Sequence, residues 1–231
     1  MSQKKVKKMV IAAGGLGTRL FPLTMAQSKA MFPVGRELAL ERIVNWSKDG
    51  GIEEVVFVLG AIGGSVVENH FGVHAMQEQI LIREGKTKLL EKVLQYKKQM
   101  RFRFVYQLDP KGDGDAVRCA VESRFVANNE PVVVWFNDTM FDSDISPVKQ
   151  LVDNFYKYKH SVIALSEVEQ DELCNFGVVK KYDNDDGSCE IVGFVEKPKT
   201  NPPSNLVAVG GYVLTPDMLN ILHEKHAQSG E

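Results

Sequence analysis

The chain has 231 residues, a hydrophobic fraction of 44%, a charged fraction of 25% and a formal net charge of −2 at pH 7. This composition is typical of a globular protein, and a net charge so close to zero provides no global field that would attract nucleic acid or an anionic membrane. Cys119, Cys174 and Cys189 are too widely spaced for a metal or disulfide motif, and no apolar run approaches the length of a membrane span, so we expect a cytoplasmic protein without nucleic-acid or membrane partners.

Strands and helices alternate along the first two thirds of the sequence. Apolar runs predict buried strands, and glycines or a Ser-Pro pair mark several helix ends. Such alternation predicts a sheet that is mostly parallel and covered by helices on both faces. The predicted strands are 8–13, 54–59, 102–106, 131–136 and 161–165, and the predicted helices are 38–48, 65–98 with breaks near Gly72 and Gly85, 115–125 and 146–159.

The pattern changes after residue 175. Residues 176–182 and 189–196 flank a turn at 183–187 and are predicted to form a β-hairpin, followed by a strand at 206–214 and a helix that begins at Thr215-Pro216. We therefore predict a Rossmann-like α/β fold in one domain, residues 1–231, with a mixed, mostly parallel sheet, helices on both faces and a small β-hairpin extension. Ligands of such sheets bind beyond the carboxyl ends of the strands, which directs attention to residues 12–29, 107–115, 137–144 and 196–199.

The stretch VIAAGGLGTRLFPLT, residues 10–24, places glycines directly after the first strand. It does not fit a dinucleotide fingerprint, because the third glycine position is Leu20 and Phe21-Pro22 disfavours a helix there. It contains no P-loop motif. A plain glycine turn would not explain why Thr18-Arg19 follows the glycines. A loop for nucleotidyl transfer fits better, since the backbone N–H groups of residues 14–18 would surround a triphosphate and Arg19 would add a permanent cation.

These residues extend into a longer pattern. The stretch AAGGLGTRLFPLTMAQSKAMFPV resembles the signature of the sugar-1-phosphate nucleotidyltransferase family, A-A-G-x-G-T-R followed by P-x-T and K-x-M-x-P. The set is most similar to the bacterial members that use UTP and glucose 1-phosphate, and it implies the nucleotide-diphospho-sugar transferase type of fold. Further matching stretches, in the family's order over nearly the whole chain, are ENHF, EGKTKLLEKV, GDGDAVRCA, FGVV, VEKPK and NLVAVGGYVLTP.

The resemblance implies a reaction in which a sugar 1-phosphate attacks the α-phosphorus of UTP to give a UDP-sugar and pyrophosphate, with Mg²⁺ as cofactor. Two alternatives stay open: thymidylyl or cytidylyl transfer to a related sugar phosphate, and a relative that binds nucleotide sugars without turnover. Assembly into a homo-oligomer is open as well. The family's C-terminal segment, which carries a second metal-binding Asp in a Y-D-x-G motif, is expected to be lacking, since the sequence ends at Glu231.

The resemblance also implies roles for individual residues. Arg19, Lys29 and Lys197 are the predicted catalytic cations, and Asp138 is the predicted Mg²⁺ ligand, since this hard ion favours carboxylate and phosphate oxygens. Taken singly, each of these residues also fits an ordinary surface or turn position. The other predicted contacts are Ala12, Ala13, Gly14, Gly15, Gly17, Thr18, Gln107 and Gly112 for the nucleotide, with Gln107 at the pyrimidine edge, and Gly177, Glu196 and Lys197 for the sugar phosphate.

Three positions depart from the family pattern. Asn137 stands where a glycine is common before the metal-binding Asp, and Ser28 stands where a proline precedes the lysine. Asp115 replaces a common histidine, and a further carboxylate beside a triphosphate is unfavourable unless it faces away or binds metal. These changes bear on the identity of the substrate more than on the fold.

Overall fold

A computed structural model describes residues 4–72, 75–94, 98–109, 111–185 and 187–229 of the chain. Its central feature in these residues is an eight-stranded sheet, and a second sheet has two short strands. The strands are β1 (Lys8–Ala13), β2 (Pro33–Val34), β3 (Glu37–Leu38), β4 (Glu54–Gly60), β5 (Arg101–Gln107), β6 (Val132–Phe136), β7 (Val162–Glu167), β8 (Gly177–Asp183), β9 (Cys189–Glu196) and β10 (Leu206–Leu214). The helices are α1 (Ala39–Asp49), α2 (Gly64–Phe71), α3 (Ala75–Arg83), α4 (Thr87–Leu94), α5 (Asp113–Glu122), α6 (Pro147–Tyr158) and α7 (Pro216–Ser229).

The large sheet has the strand order β5-β4-β1-β6-β10-β8-β9, and β7 also pairs with β10. Strands β5, β4, β1 and β6 are parallel neighbours. Strand β10 is antiparallel to β6, β7 and β8, and β9 is antiparallel to β8, so within the described sheet β9 and β10 run against the other six strands. The prediction of a mixed, mostly parallel sheet is confirmed, and β8 and β9 form the predicted hairpin.

The central strands carry apolar residues on both faces because helices cover both faces. On one face, Ile11 and Trp135 pack in a buried cluster with residues of α1, α2 and α6. On the other face, Val10 and Val134 pack with residues of α5 and α7. Successive side chains of a strand point to opposite faces, so adjacent residues of β1 and β6 belong to different layers of the core.

Most helix limits follow the signals in the sequence. Helix α6 begins after Ser146, whose Oγ accepts a hydrogen bond of 3.3 Å from the backbone N–H of Lys149. The helix predicted over 115–125 instead spans Asp113–Glu122, because Gly112, at φ +100°, is the last residue outside the helical region. This earlier start places Asp113 in the first helical turn, shortly after the end of β5.

Within the described parts of the chain, no helix combines the length and the apolar character needed to cross a membrane. All three cysteines are free thiols, and Cys174 and Cys189 are exposed.

Candidate active site

Four parallel strands end side by side and bring their following loops together. Ala12 of β1 lies beside Phe136 of β6, and Gly60 of β4 lies beside Gln107 of β5. The loops that follow β1, β4, β5 and β6 therefore leave from the same edge of the sheet. This edge contains most of the predicted site residues, as expected for a ligand that binds beyond the carboxyl ends of strands.

The loop after β1 is held in shape by Gly17 and Thr24. Gly17 has a left-handed backbone at φ +62°, and a Cβ there would lie 2.9 Å from Cγ2 of Thr24. The Thr24 hydroxyl donates a hydrogen bond of 2.9 Å to the carbonyl oxygen of Gly17, and Thr24 is buried. The glycine and the threonine of the sequence signature therefore act together, since only glycine fits the space and torsion that the threonine contact requires.

Gly14 and Gly60 allow the loops after β1 and β4 to approach each other. A Cβ on Gly60 would lie 2.5 Å from the carbonyl oxygen of Gly14, which is too close for any side chain. A Cβ on Gly14 would lie 3.0 Å from Oε1 of Gln107, so Gln107 reaches the same loop from β5. At Gly15, in contrast, no atom of the described residues lies within 4 Å of the Cβ position, and the loop is open there.

Thr18 and Arg19 lie in an exposed turn of 3₁₀ helix, Thr18–Leu20, that follows the glycines. In the described part of the chain, no carboxylate forms an ion pair with Arg19. The guanidinium charge is therefore available to an anionic ligand.

Lys29 and Asp138 form an ion pair between the loops after β1 and β6. The distance from Lys29 Nζ to Asp138 Oδ2 is 2.6 Å, and the Asp138 side chain remains 57% exposed. A predicted catalytic cation and the predicted Mg²⁺ ligand are thus in direct contact. The exposed carboxylate is also accessible to a cation from solution.

Ser28 has a structural role that accounts for one departure from the family pattern. Its Oγ accepts a hydrogen bond of 3.4 Å from the backbone N–H of Ala30 and caps the 3₁₀ turn Lys29–Met31. Ser28 is buried, so this contact helps to set the position from which the Lys29 side chain extends.

Asn137 is buried beside Asp138 and has an unsatisfied donor. Its Nδ2 is the one buried side-chain polar atom without a hydrogen-bond partner among the residues that the structure describes. The Asn137 backbone N–H donates to the carbonyl oxygen of Ala12 at 3.3 Å, which continues the pairing of β1 and β6 by one residue. Nothing in the structure explains why an asparagine, rather than the family's glycine, stands here.

The structure adds Asp113 to the candidate site, although no motif in the sequence marked this residue. Desolvation by neighbouring groups raises the pKa of its carboxyl, and the nearby charges of Asp138 and Glu196 raise it further, while Lys29 lowers it. Burial, Asp113 and Glu196 also raise the pKa of Tyr212 on β10. Asp113 therefore shares its surroundings with the Lys29–Asp138 pair and with the end of β9. The signal in the sequence that could have identified Asp113 is an acidic residue at the start of a helix that follows a parallel strand.

Gly177, Glu196 and Lys197 come together at the base of the hairpin. Gly177 pairs with Glu196 in the β8–β9 ladder, and the backbone N–H of Lys197 donates to the carbonyl oxygen of Phe176 at 3.0 Å. Lys197 Nζ lies 3.2 Å from Glu196 Oε1, and both side chains are exposed. The predicted sugar-phosphate residues thus form one cluster. The charges of Glu196, Lys29 and Asp138 all act on Asp113, so this cluster lies near the Lys29–Asp138 pair.

Asp115 does not leave a free negative charge beside the glycine loop. It is buried, and its Oδ1 accepts hydrogen bonds from Nε and Nη2 of Arg118 at 2.9 and 2.6 Å. These contacts raise the pKa of Arg118. Its Oδ2 accepts a short hydrogen bond from Nε2 of Gln107. The carboxylate that departs from the family pattern is therefore paired with a cation and directed at Gln107.

Sequence comparison identifies relatives of the whole chain. The family described as nucleotidyl transferase matches residues 8–231. The UTP–glucose-1-phosphate uridylyltransferase of Bacillus subtilis (strain 168) is 34% identical over 228 residues, which are 98% of this chain and 77% of that protein.

Solved structures with the same architecture include a UDP-glucose pyrophosphorylase complexed with UDP-glucose, with a TM-score of 0.81 and 29% identity over 95% of this chain and 80% of that chain. A UTP-bound UGPase from Acinetobacter baumannii has a TM-score of 0.82 and 28% identity, over 94% of this chain and 77% of that chain. The similarity thus extends along the sheet and the loops that form the candidate site.

The contact between Gly17 and Thr24 can be tested by comparing two glycines with similar backbone angles. Gly17 and Gly85 have φ of +62° and +66°, but nothing lies within 4 Å of the Cβ position of Gly85 among the described residues. A left-handed alanine costs about 1–2 kcal/mol at either site. We expect Gly17→Ala to lower the free energy of unfolding in urea by more than Gly85→Ala, because it also meets Thr24. Equal losses would contradict a packing constraint on the loop.

The raised pKa of Asp113 predicts a pH-dependent stability difference. The folded protein disfavours the ionised carboxyl, so stability falls as pH rises from the unfolded pKa of about 3.9 through the folded value, and the penalty is complete above it. In metal-free buffer we expect Asp113→Asn to raise the free energy of unfolding at neutral pH. The gain should disappear below a pH of about 3.9, where the unfolded carboxyl is also protonated.

The control for this experiment is Asp153→Asn. Asp153 pairs with Lys149 at 2.6 Å on the exposed face of α6, so the same substitution there removes a weakly stabilising contact. The two substitutions should therefore change stability in opposite directions at neutral pH. A loss of stability in Asp113→Asn would show that the carboxyl is stabilised in the folded state.

Proposed function

Because the chain belongs to the nucleotidyl transferase family, we propose that it transfers the uridylyl group of UTP to glucose 1-phosphate, giving UDP-glucose and pyrophosphate. The relatives named for this activity, or solved with its nucleotide or product, match 94–98% of the chain. The supporting observation within the chain is the convergence of the glycine loop, the Lys29–Asp138 pair and the Glu196–Lys197 pair on one edge of the sheet.

The chemistry explains why cations, rather than a general base, dominate the site. The attacking phosphate has a second pKa of about 6 and is already largely ionised at neutral pH. The main obstacle is repulsion between anions, which amounts to about 4 kcal/mol for two unit charges 4 Å apart at an effective dielectric constant of 20. An oxygen of the sugar phosphate forms a bond to the α-phosphorus while the bond to the departing pyrophosphate breaks. The protein therefore has to position the two anions and neutralise their charge.

We assign the nucleotide to the loop after β1. The backbone N–H groups of residues 14–18 would donate to the triphosphate, and Arg19, which lacks a carboxylate partner in the described residues, would stabilise the pyrophosphate as it leaves. Ala12 and Ala13 leave room for the ribose or the base. The base itself would lie toward Gln107 and Gly112, where β5 ends.

Lys29 is assigned to the reacting phosphates. Its contact with Asp138 orients the ammonium group before substrate arrives, which reduces the reorganisation needed during reaction. Lys197 is assigned to the phosphate of the incoming sugar, and Glu196 and Gly177 to the sugar hydroxyls. The exposure of the Glu196–Lys197 pair supports this assignment, since both side chains can rearrange around a ligand.

Asp138 fits the requirements of a Mg²⁺ ligand. Its carboxylate is exposed, and the acidic groups of Asp113 and Glu196 act on the same region. Mg²⁺ usually binds proteins through one or two carboxylates and takes its other ligands from phosphate and water oxygens. When bound, Mg²⁺ supplies Lewis-acid stabilisation of the negative charge on phosphate oxygens.

We propose that residues 1–231 act as a single nucleotidyltransferase domain in the cytoplasm. Every residue assigned to the reaction lies in a strand of the large sheet or in a loop next to such a strand, which supports a single domain.

The proposed function is tested by incubating the 231-residue chain with UTP, glucose 1-phosphate and Mg²⁺ and measuring the pyrophosphate that is released. Parallel reactions contain TTP or CTP, or another sugar phosphate. Release that is fastest with UTP and glucose 1-phosphate supports the proposal. Absence of release with every pair, while UDP-glucose still binds, would instead indicate a protein that binds nucleotide sugars without turnover.

The roles of Asp138 and Lys197 predict the effect of removing each side chain. We expect Asp138→Ala and Lys197→Ala each to lower kcat by at least about 10²-fold, the usual loss for one charge-stabilising group, while the thermal unfolding temperature stays close to that of the parent chain.

Lys149 and Asp153 provide matched controls, because they form another Lys–Asp pair with an N–O distance of 2.6 Å on α6. Lys149→Ala and Asp153→Ala should retain the parental kcat. Near-parental activity in Asp138→Ala or Lys197→Ala would disprove the role assigned to that residue.

A further inference from the structure

The amide of Gln107 has a defined orientation. Gln107 is buried at the end of β5, and its Nε2 donates a short hydrogen bond to Oδ2 of Asp115. The same nitrogen lies 3.5 Å from the carbonyl oxygen of Gly112. A carboxylate can only accept hydrogen bonds, so the amide atom that faces Asp115 has to be the nitrogen.

Arg118 keeps Asp115 in the acceptor-only form. Its Nε and Nη2 donate to Oδ1 of Asp115, which leaves Oδ2 directed at Gln107. Nη1 of Arg118 lies 2.5 Å from Glu122, so the guanidinium is itself held from the other side. An arginine so close to a buried carboxylate favours its ionised form. Asp115 therefore cannot donate to Gln107 and so cannot support the flipped amide.

Because Nε2 faces Asp115, Oε1 faces the opposite way, toward the glycine loop. It lies 3.0 Å from the Cβ position of Gly14, beside the part of the loop to which the nucleotide is assigned. No donor in the described part of the chain forms a hydrogen bond to Oε1. Gln107 therefore presents an unoccupied acceptor to a ligand in this loop.

We propose that Asp115, held by Arg118, is a positioning residue that orients the Gln107 amide and thereby makes the site select a base with a ring N–H over a base with a ring nitrogen acceptor. The inference rests on the proposed function, because it takes the ligand to be a pyrimidine nucleotide. Uracil and thymine carry N3–H and can donate to Oε1. Cytosine has an unprotonated N3, which would set two acceptors against each other and leave both without a donor. The C5 methyl of thymine plays no part in this contact.

The test is the ratio of the dissociation constants of CTP and UTP, measured by calorimetry with Mg²⁺ and without sugar phosphate. In Asp115→Asn the neighbouring side chain can donate as well as accept, so the Gln107 amide is free to flip. We expect the parent chain to favour UTP, so that the dissociation constant of CTP exceeds that of UTP. Asp115→Asn should lower the ratio of the two constants by about tenfold, a usual effect of one buried hydrogen bond. A general loosening of the pocket would weaken both nucleotides together and leave the ratio unchanged.

Two further variants keep the inference testable if Asp115→Asn folds poorly. Arg118→Gln, at a partly exposed position, releases Asp115 from its cation and should narrow the ratio in the same direction. Glu122→Gln removes the other partner of Arg118, which does not contact Gln107, and should keep the parental ratio.

An unchanged ratio in the folded Asp115 and Arg118 variants, or a parent chain that binds CTP as tightly as UTP, would overturn the inference. A parent chain that binds neither nucleotide would overturn the inference and the proposed function together. Failure of pyrophosphate release alone bears only on the proposed function, because the ratio is measured without turnover.

Discussion

The ion pair between Lys29 and Asp138 is the contact on which the arrangement of the candidate site depends. It spans 2.6 Å and joins the loop after β1 to the loop after β6. These strands are parallel neighbours, so the sheet holds the two loops side by side and the ion pair sets how their charged ends meet. A ligand with several phosphates would thus meet a cation that is already oriented.

Helix α5 carries two carboxylates, Asp113 and Asp115, and their different partners explain their different chemistry. Asp113 and Asp138 lie near each other, and their mutual repulsion helps to raise the pKa of Asp113, which favours the approach of cations. Asp115 lies two residues after Asp113 on the same helix, but Arg118 neutralises it. In the proposed site, one helix therefore carries a carboxylate near the assigned phosphates and another that orients the Gln107 amide.

The strands and the sheet class could be predicted because β1, β4 and β6 are nearly continuous apolar runs, which form only where both faces are covered. Gln107 is the last residue of β5 and Asp138 lies just beyond the end of β6, so both could be found from their positions at strand ends. Asp113 could not be assigned in the same way, because its role depends on the helix starting after Gly112 and on the approach of the hairpin. The i,i+3 spacing of Asp115 and Arg118 was visible, but their contact with Gln107 depends on tertiary packing.

The proposed reaction breaks the bond between the α- and β-phosphates of UTP. The most direct test follows radioactive phosphorus from UTP labelled at the α- or the γ-position in the presence of glucose 1-phosphate and Mg²⁺. We expect the α-label to appear in UDP-glucose and the γ-label to appear in pyrophosphate. Recovery of the γ-label as inorganic phosphate or on the sugar, with no α-label in a nucleotide sugar, would contradict the proposed reaction.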